Sequence, residues 1–211
     1  RDLHLSIRRQ RQMCIRDRAK GVTRNRLGTR IVALSEDFLN GFRRAITDEC
    51  GPAAETVFRS IGRRWGVLFA KRFEKEMTEF YGKPLREFML ALFQACLVEL
   101  FSHHGWGKVS LDLSRHDQGL ILVDLQNAIF AGLVKQSNQP VDGMMAGILG
   151  GFFSHLSGQE LHCVQTACQA CGASNSKFII GLAARLAPVP SWLENGKKHD
   201  DIVRELANVR V

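Results

Sequence analysis

The stretch that decides the fold runs from Val141 to Leu156, VDGMMAGILGGFFSHL, followed by ELHCVQTACQACG from Glu160 to Gly172 and KFIIGLA from Lys177 to Ala183. It reads as a glycine-ridged helix and two strands. Gly143, Gly147 and Gly151 fall four residues apart, so on a helix they form one bare stripe. Met144, Met145, Ile148, Leu149, Phe152 and Phe153 thicken the other faces. Glycine costs a helix interior up to about 1 kcal/mol against alanine, so three in register imply that something packs close. Two readings stay open: another backbone lies on the stripe, or the stripe is a wall bordering a ligand cavity.

Working outward, Glu160–Ala167 and Lys177–Leu182 pair as a closing hairpin. Upstream, Val109, Leu111 and Leu113 alternate with polar residues, His116–Gly119 turns the chain, and Leu120 to Val123 returns. Before that the period is helical. Ser35 is placed to N-cap a helix whose stripe is Phe38, Leu39, Phe42, Ala45 and Ile46, ending near Cys50-Gly51-Pro52. A longer helix carries Val57, Phe58, Ile61, Trp65, Leu68, Phe69, Phe73 and Met77. A third is expected to start at Pro84 and to run to His103-His104-Gly105, with a broad apolar face. Asn127 to Val134 reads equally as a short helix or an apolar loop. After Pro188 and Pro190 a charged linker and a short amphipathic helix close the chain. The pattern is α+β, with helices packed on one face of an antiparallel sheet and an apolar pocket between them.

Residues Arg8 to Arg18, RRQRQMCIRDR, reproduce one reading frame of a common transposase sequencing adapter, in which CAG-ATG-TGT-ATA-AGA-GAC encodes Gln12 to Asp17. Residues 1–18 are therefore read as an assembly scar and left out of the fold. The expected organisation is a basic arm over 19–30, a ligand-binding domain over 31–187, and the linker with its helix over 188–211. The net charge of +8 is confined to the start of the chain. Six arginines against two aspartates occupy the leader, Lys20, Arg24, Arg26 and Arg30 supply the rest, and 31–211 is neutral. Nucleic-acid binding is not expected of such a domain. Arg63, Arg64, Lys71 and Arg72 read as a solvated helix face. No apolar run approaches the roughly 20 residues that a membrane span needs, and the protein is read as cytoplasmic, without a membrane partner. Beyond the leader there are five cysteines, an odd number and a poor disulfide framework.

From Arg30 to Leu182 the landmarks resemble the 4-vinyl reductase domain family. They are the Arg30-Ile31 start with Leu34-Ser35, SIGRRWG, GWGKVSLD, NAIFAGL, the glycine-rich helix and ACQACGASNSKF. The resemblance implies a small-molecule-binding domain of a fold related to haem nitric-oxide-binding domains and to TRAPP core subunits, with an internal apolar pocket. It also implies a zinc site built from a cysteine before the glycine-rich helix, a glutamate in the next strand, and two cysteines in C-x-x-x-G-x-x-x-C. Here Cys168 and Gly172 match, whereas Asp142, Gln165 and Ser176 stand at the other three ligand positions. Cys163, Cys168 and Cys171 remain as candidate thiolate ligands, with His162 or Asp142 to complete a tetrahedron. No cofactor is called for otherwise, and zinc is the one candidate.

The candidate pocket residues are Trp65, Phe69, Phe93, Trp106, Phe130, Met145, Gly147 and Phe152. No catalytic group is assigned. His103 and His104 read as cations at a helix C-terminus. The leading function is a non-catalytic binding or sensing module for a hydrophobic or aromatic small molecule, working as a homodimer and signalling through a partner protein. Two alternatives stand beside it. One is a tetrapyrrole vinyl reductase or its accessory, for which the chain shows no nucleotide-binding fingerprint; the other is an interaction subunit.

Overall fold

A computed structural model describes residues 21–25, 27–134 and 136–208. The adapter-like residues 1–18 lie outside them. A two-residue hairpin, β1 (Thr23–Arg24) with β2 (Arg30–Ile31), precedes three long helices, α1 (Glu36–Cys50), α2 (Ala54–Tyr81) and α3 (Leu90–His103). Strands β3 (Lys108–Asp112) and β4 (Ile121–Gln126) form a hairpin, followed by the single turn α4 (Ile129–Gly132) and the glycine-rich helix α5 (Gly143–Ser157). Then come β5 (Leu161–Ala167), β6 (Ser176–Leu182), and three short helices, α6 (Ala183–Leu186), α7 (Val189–Glu194) and α8 (His199–Leu206).

The sheet is antiparallel throughout, in the order β3-β4-β6-β5. Alternation along each strand gives it two apolar faces. Val123, Leu125, Cys163, Phe178 and Ile180 point into the main core, with α2, α3 and α5. Leu122, Val164 and Ile179 point the other way, into a second core closed by Leu186, Val189, Ile202 and Leu206. The expected linker after Pro188 is thus a helix, with Val189 fully buried. The long helices occupy one face as the sequence pattern implies, and the C-terminal helices cover the face that a hydrophobic β6 would otherwise leave wet.

The glycine stripe is a helix–helix seam. A Cβ built on Gly147 or Gly151 would collide with the carbonyl oxygens of Arg59 and Arg63 on α2, and one on Gly62 or Gly66 with those of Met144 and Ile148 on α5. Glycines on both helices bring the two backbones together, which answers the question the sequence left open in favour of close packing. The arrangement also carries Arg59 and Arg63 across α5 to edge strand β5, where they donate to the carbonyls of Cys163 at 3.2 Å and Leu161 at 2.8 Å. Arg63 is therefore a structural hydrogen-bond donor and not part of a solvated face; Arg64 and Lys71 are exposed as expected.

Two start signals act differently from expectation. Pro84 opens a short 3-10 turn over Leu85–Glu87, and α3 begins only at Leu90. The basic arm is docked: Asn25, buried, donates to Glu76 Oε1 on α2 at 2.9 Å, and the Thr29 hydroxyl donates to the same oxygen at 2.5 Å.

Candidate ligand-binding site

The i, i+4, i+8 spacing of Trp65, Phe69 and Phe73 on α2 aims three rings at the sheet. Phe101 comes from the last turn of α3, and Phe152 from α5. Gly105, at φ 69°, ends α3 in a left-handed turn that folds Trp106 back, its amide bonding the Phe101 carbonyl at 3.1 Å. The rings meet around Phe69, with centroids 5.0 Å from Trp106, 5.5 Å from Phe152, 6.4 Å from Phe101 and 6.4 Å from Trp65. Trp65 and Trp106 are 4.8 Å apart, edge to face.

One polar side chain is lodged among these rings. The His104 imidazole lies 4.8 Å from Trp106 and 5.9 Å from Phe69. Its Nδ1 is 2.8 Å from the Leu100 carbonyl. A carbonyl only accepts, so Nδ1 carries the proton and Nε2 presents a lone pair. Nε2 faces the Arg72 guanidinium at 3.5 Å, and Arg72 lies over the Phe69 ring at 5.2 Å. Burial lowers the His104 pKa, and the nearby Arg72 and His103 push the same way against the Leu100 carbonyl and Glu76. His104 is therefore a neutral acceptor within an aromatic wall, and not the helix-terminal cation that its position suggests. An aromatic ligand bearing a hydroxyl meets both complements here: ring faces to pack on, and an imidazole nitrogen to receive its proton.

Of the eight pocket residues expected from sequence, Trp65, Phe69, Trp106 and Phe152 come together, and Met145 is fully buried in the same core. Phe93 joins only through Phe73, at 6.1 Å, and borders an open cleft beside Leu85, Phe153 and Leu156. Phe130 sits elsewhere, in a shallow apolar cleft with Phe42, Phe58 and Met144. Gly147 belongs to the seam, its missing side chain replaced by the Arg59 carbonyl. The sequence reading missed His104, Arg72 and Phe101. The signal available was the dense FSHHGW, Phe101 to Trp106, in which a helix end, a turn and an aromatic follow one another.

The positions of the zinc site implied by the family resemblance do converge, but as a hydrogen-bonded knot. Asp142, Gln165, Ser176 and Cys168 are all buried. Asp142 Oδ2 accepts from Gln165 Nε2 and from Ser176 Oγ, both at 2.7 Å, and Gln165 Oε1 accepts from the Asp142 amide at 3.0 Å. Asp142 Oδ1 is buried with no hydrogen-bond partner. Burial raises the Asp142 pKa against the pull of Ser176, Gln165 and the neighbouring Ala131 amide, which favours the charge without meeting hydrogen-bond geometry.

These residues do not fit zinc. Two of the four positions hold neutral groups already committed to each other. The replacement thiols do not gather either: Cys163 faces the core, Cys168 follows the bulge between Gln165 and Ala167, and Cys171 is exposed. Extended chain separates Cys163 from Cys168 by about 16 Å, at roughly 3.3 Å per residue. Burial and the adjacent Cys168 push the Cys171 thiol up to about 11, so it is not a ready thiolate. His162 projects to solvent near Glu160. Among the described residues no three His, Cys, Asp or Glu side chains meet in a metal-binding group.

A larger concavity, about 460 Å³ and open to solvent, lies on the far side of the sheet between Asp112, Asp124, Lys177 and His199. Its charged lining makes it a poor match for an apolar ligand. No described helix is long and apolar enough to cross a membrane.

The fold and this site define the class. Residues 122–182 match the vinyl-4-reductase domain, the family that the sequence landmarks resemble. No curated protein matches the chain in sequence. Among solved structures, the phenol-responsive sensory domain of the transcription activator PoxR, with phenol, superposes with a TM-score of 0.70 at 15% identity, over 91% of this chain and 96% of that one. A vinyl-4-reductase family protein from Methanocaldococcus jannaschii gives 0.51 at 15% identity, covering 85% and 91%. A trafficking protein particle complex subunit 3 from Naegleria fowleri, covalently bound to palmitic acid, gives 0.51 at 12% identity, covering 70% and 94%. At these identities the likeness is one of fold.

Proposed function

We propose that the protein is a non-catalytic sensing module for a small aromatic or otherwise hydrophobic molecule, cytoplasmic and homodimeric, whose bound state is read by a partner protein. The observation that carries this is the ring cluster of Trp65, Phe69, Phe101, Trp106 and Phe152 closed around the neutral His104. A core needs no histidine at its centre, since burying a polar group unsatisfied costs about 1–3 kcal/mol. A hydroxylated ring entering the cluster gives that nitrogen a partner. The fold shared with a sensory domain that responds to phenol supports the same reading. The rings touch one another, so a ligand enters by parting them, and its affinity is reduced by the free energy of that opening.

The test is titration with phenol, followed by tryptophan fluorescence in a Trp192→Phe background so that only Trp65 and Trp106 report, and by calorimetry. A saturable change with a stoichiometry of one per chain is expected. Heat and fluorescence that stay linear in phenol and in cresols up to millimolar concentration would overturn the reading.

A further inference from the structure

Helix α1 spans fifteen residues without a buried one. Its inner face is held only partly: Leu39, Ile46 and Cys50 are half-buried, and Arg43 donates to the Val141 carbonyl at 3.3 Å and pairs with Glu55 at 3.7 Å. Its outer stripe is Phe38, Gly41, Phe42 and Ala45, at i, i+3, i+4 and i+7, every one exposed. Phe38 is 53% exposed, and Leu34, just before the helix, is 52% exposed.

Two further observations say what covers this stripe. Gly41 stands in the middle of the helix, where glycine is costly, yet a Cβ built on it meets nothing within 4 Å, so nothing described in the protomer requires its smallness. The charges are also symmetric about Asn40: Phe38 mirrors Phe42, Asp37 mirrors Arg43, and Glu36 mirrors Arg44. Arg43 is already engaged within the protomer. Glu36 and Arg44 are exposed and have no ion-pair partner among the described residues.

We infer that α1 is a self-complementary seam for a second copy of this chain. A two-fold axis beside Asn40 and Gly41 lays two copies of α1 antiparallel, with the Phe38 ring of each against Phe42 of the other and Gly41 letting the backbones approach. Glu36 and Asp37 of each copy then lie across from Arg44 of the other, and the two helix dipoles oppose. A parallel pairing stacks like charge on like charge. This supplies the surface for the homodimer in the proposed function, while its chemistry is independent of the ligand.

Sedimentation velocity of the full chain from about 1 to about 100 μM tests it. A dimer is expected. Glu36→Lys with Asp37→Lys, or Arg44→Glu alone, weakens self-association by roughly tenfold or more, and combining all three restores it to within a fewfold, because the reversed pattern is again self-complementary. A monomeric wild type, reversals without effect, or a triple variant that stays dissociated would each overturn the inference. Circular dichroism melts of the variants confirm that the protomer is folded. Phenol titration of Arg44→Glu separates the two proposals: binding retained by the monomer leaves the sensor reading standing whatever the seam does, and a dimer formed through α1 that binds no phenol sinks the sensor reading alone.

Discussion

The beginning and the end of helix α5 are built on opposite principles. At its start Asp142 is pinned by Gln165 and Ser176, and Gly143 and Gly147 lie against α2 with no side-chain volume between. At its end Phe152 enters a cluster of rings with centroids 5–6 Å apart, which interlock by shape and not by bonds. Backbone cannot yield, whereas rings can rotate or shift. The same helix thus supplies a fixed anchor and, two turns further on, one wall of a site that can open. Each region also holds one ionisable group that burial drives towards its neutral form, Asp142 in the anchor and His104 in the cluster.

The sharpest way to break this comparison is to add volume to the anchor. Leucine at position 147 must displace the Arg59 carbonyl and, with it, the α2–α5 contact along its length. Overpacking a filled core costs about 1–3 kcal/mol where side chains can adjust, and a backbone neighbour adjusts least, so Gly147→Leu should lose about 3 kcal/mol or more. Urea unfolding measures it. A variant with unchanged or raised stability, but with phenol binding lost, would make the stripe a cavity wall and erase the distinction between the two ends.

Much of this was legible in the sequence, and the parts that were not share a cause. The glycine stripe, the two hairpins and the long helices all show local periodicity, which is why Gly143–Ser157, Leu161–Ala167 and Ser176–Leu182 fall where expected. What occupies the stripe is not local: Gly62 and Gly66 lie some eighty residues upstream, and only their reciprocal spacing hints at the match. Aromatic identity pointed to Trp65, Phe69, Trp106 and Phe152, but type alone cannot separate Phe130, which rides on a different turn. The role of His104 depends on the Leu100 carbonyl and on burial, neither of which sequence displays. For the zinc positions, substitution pattern and structure agree on which residues meet, and the chemistry follows from what those residues are.

A change of intermediate size tests the yielding end. His104→Phe preserves a ring and removes the lone pair. Loss of the Nδ1 bond to Leu100 should cost about 1 kcal/mol at pH 7.5. Because burial holds the folded pKa of His104 below the ordinary 6.5, the unfolded chain takes up the proton first, and wild-type stability falls as pH drops below 6.5. His199, also depressed by burial, adds a similar slope that remains in the variant, so the difference between the two curves isolates His104. The gap should narrow on acidification, and wild-type phenol affinity should fall over the same range as Nε2 gains its proton. A gap that is flat from pH 7.5 to 5.5 would show that His104 is not a buried neutral acceptor.

The smallest effect is expected at the anchor's charge. Asp142→Asn keeps an oxygen to accept from Ser176 and Gln165 and replaces the orphaned Oδ1 with an amide. Burial raises the folded pKa of Asp142 above its ordinary 3.8, so between these values the folded chain holds a proton that the unfolded chain has released. Wild-type stability is therefore greatest at the acid end and declines as pH rises through that window, while the asparagine variant has no such term. Near pH 4 the two proteins should unfold at closely similar urea concentrations, and with rising pH the variant should gain on the wild type. The opposite trend, with the variant falling behind as pH rises, would mean that the carboxylate is stabilised by something at Oδ1, a cation included. The anchor would then be a charged site after all, and the contrast between a finished end of α5 and a receptive one would have to be redrawn.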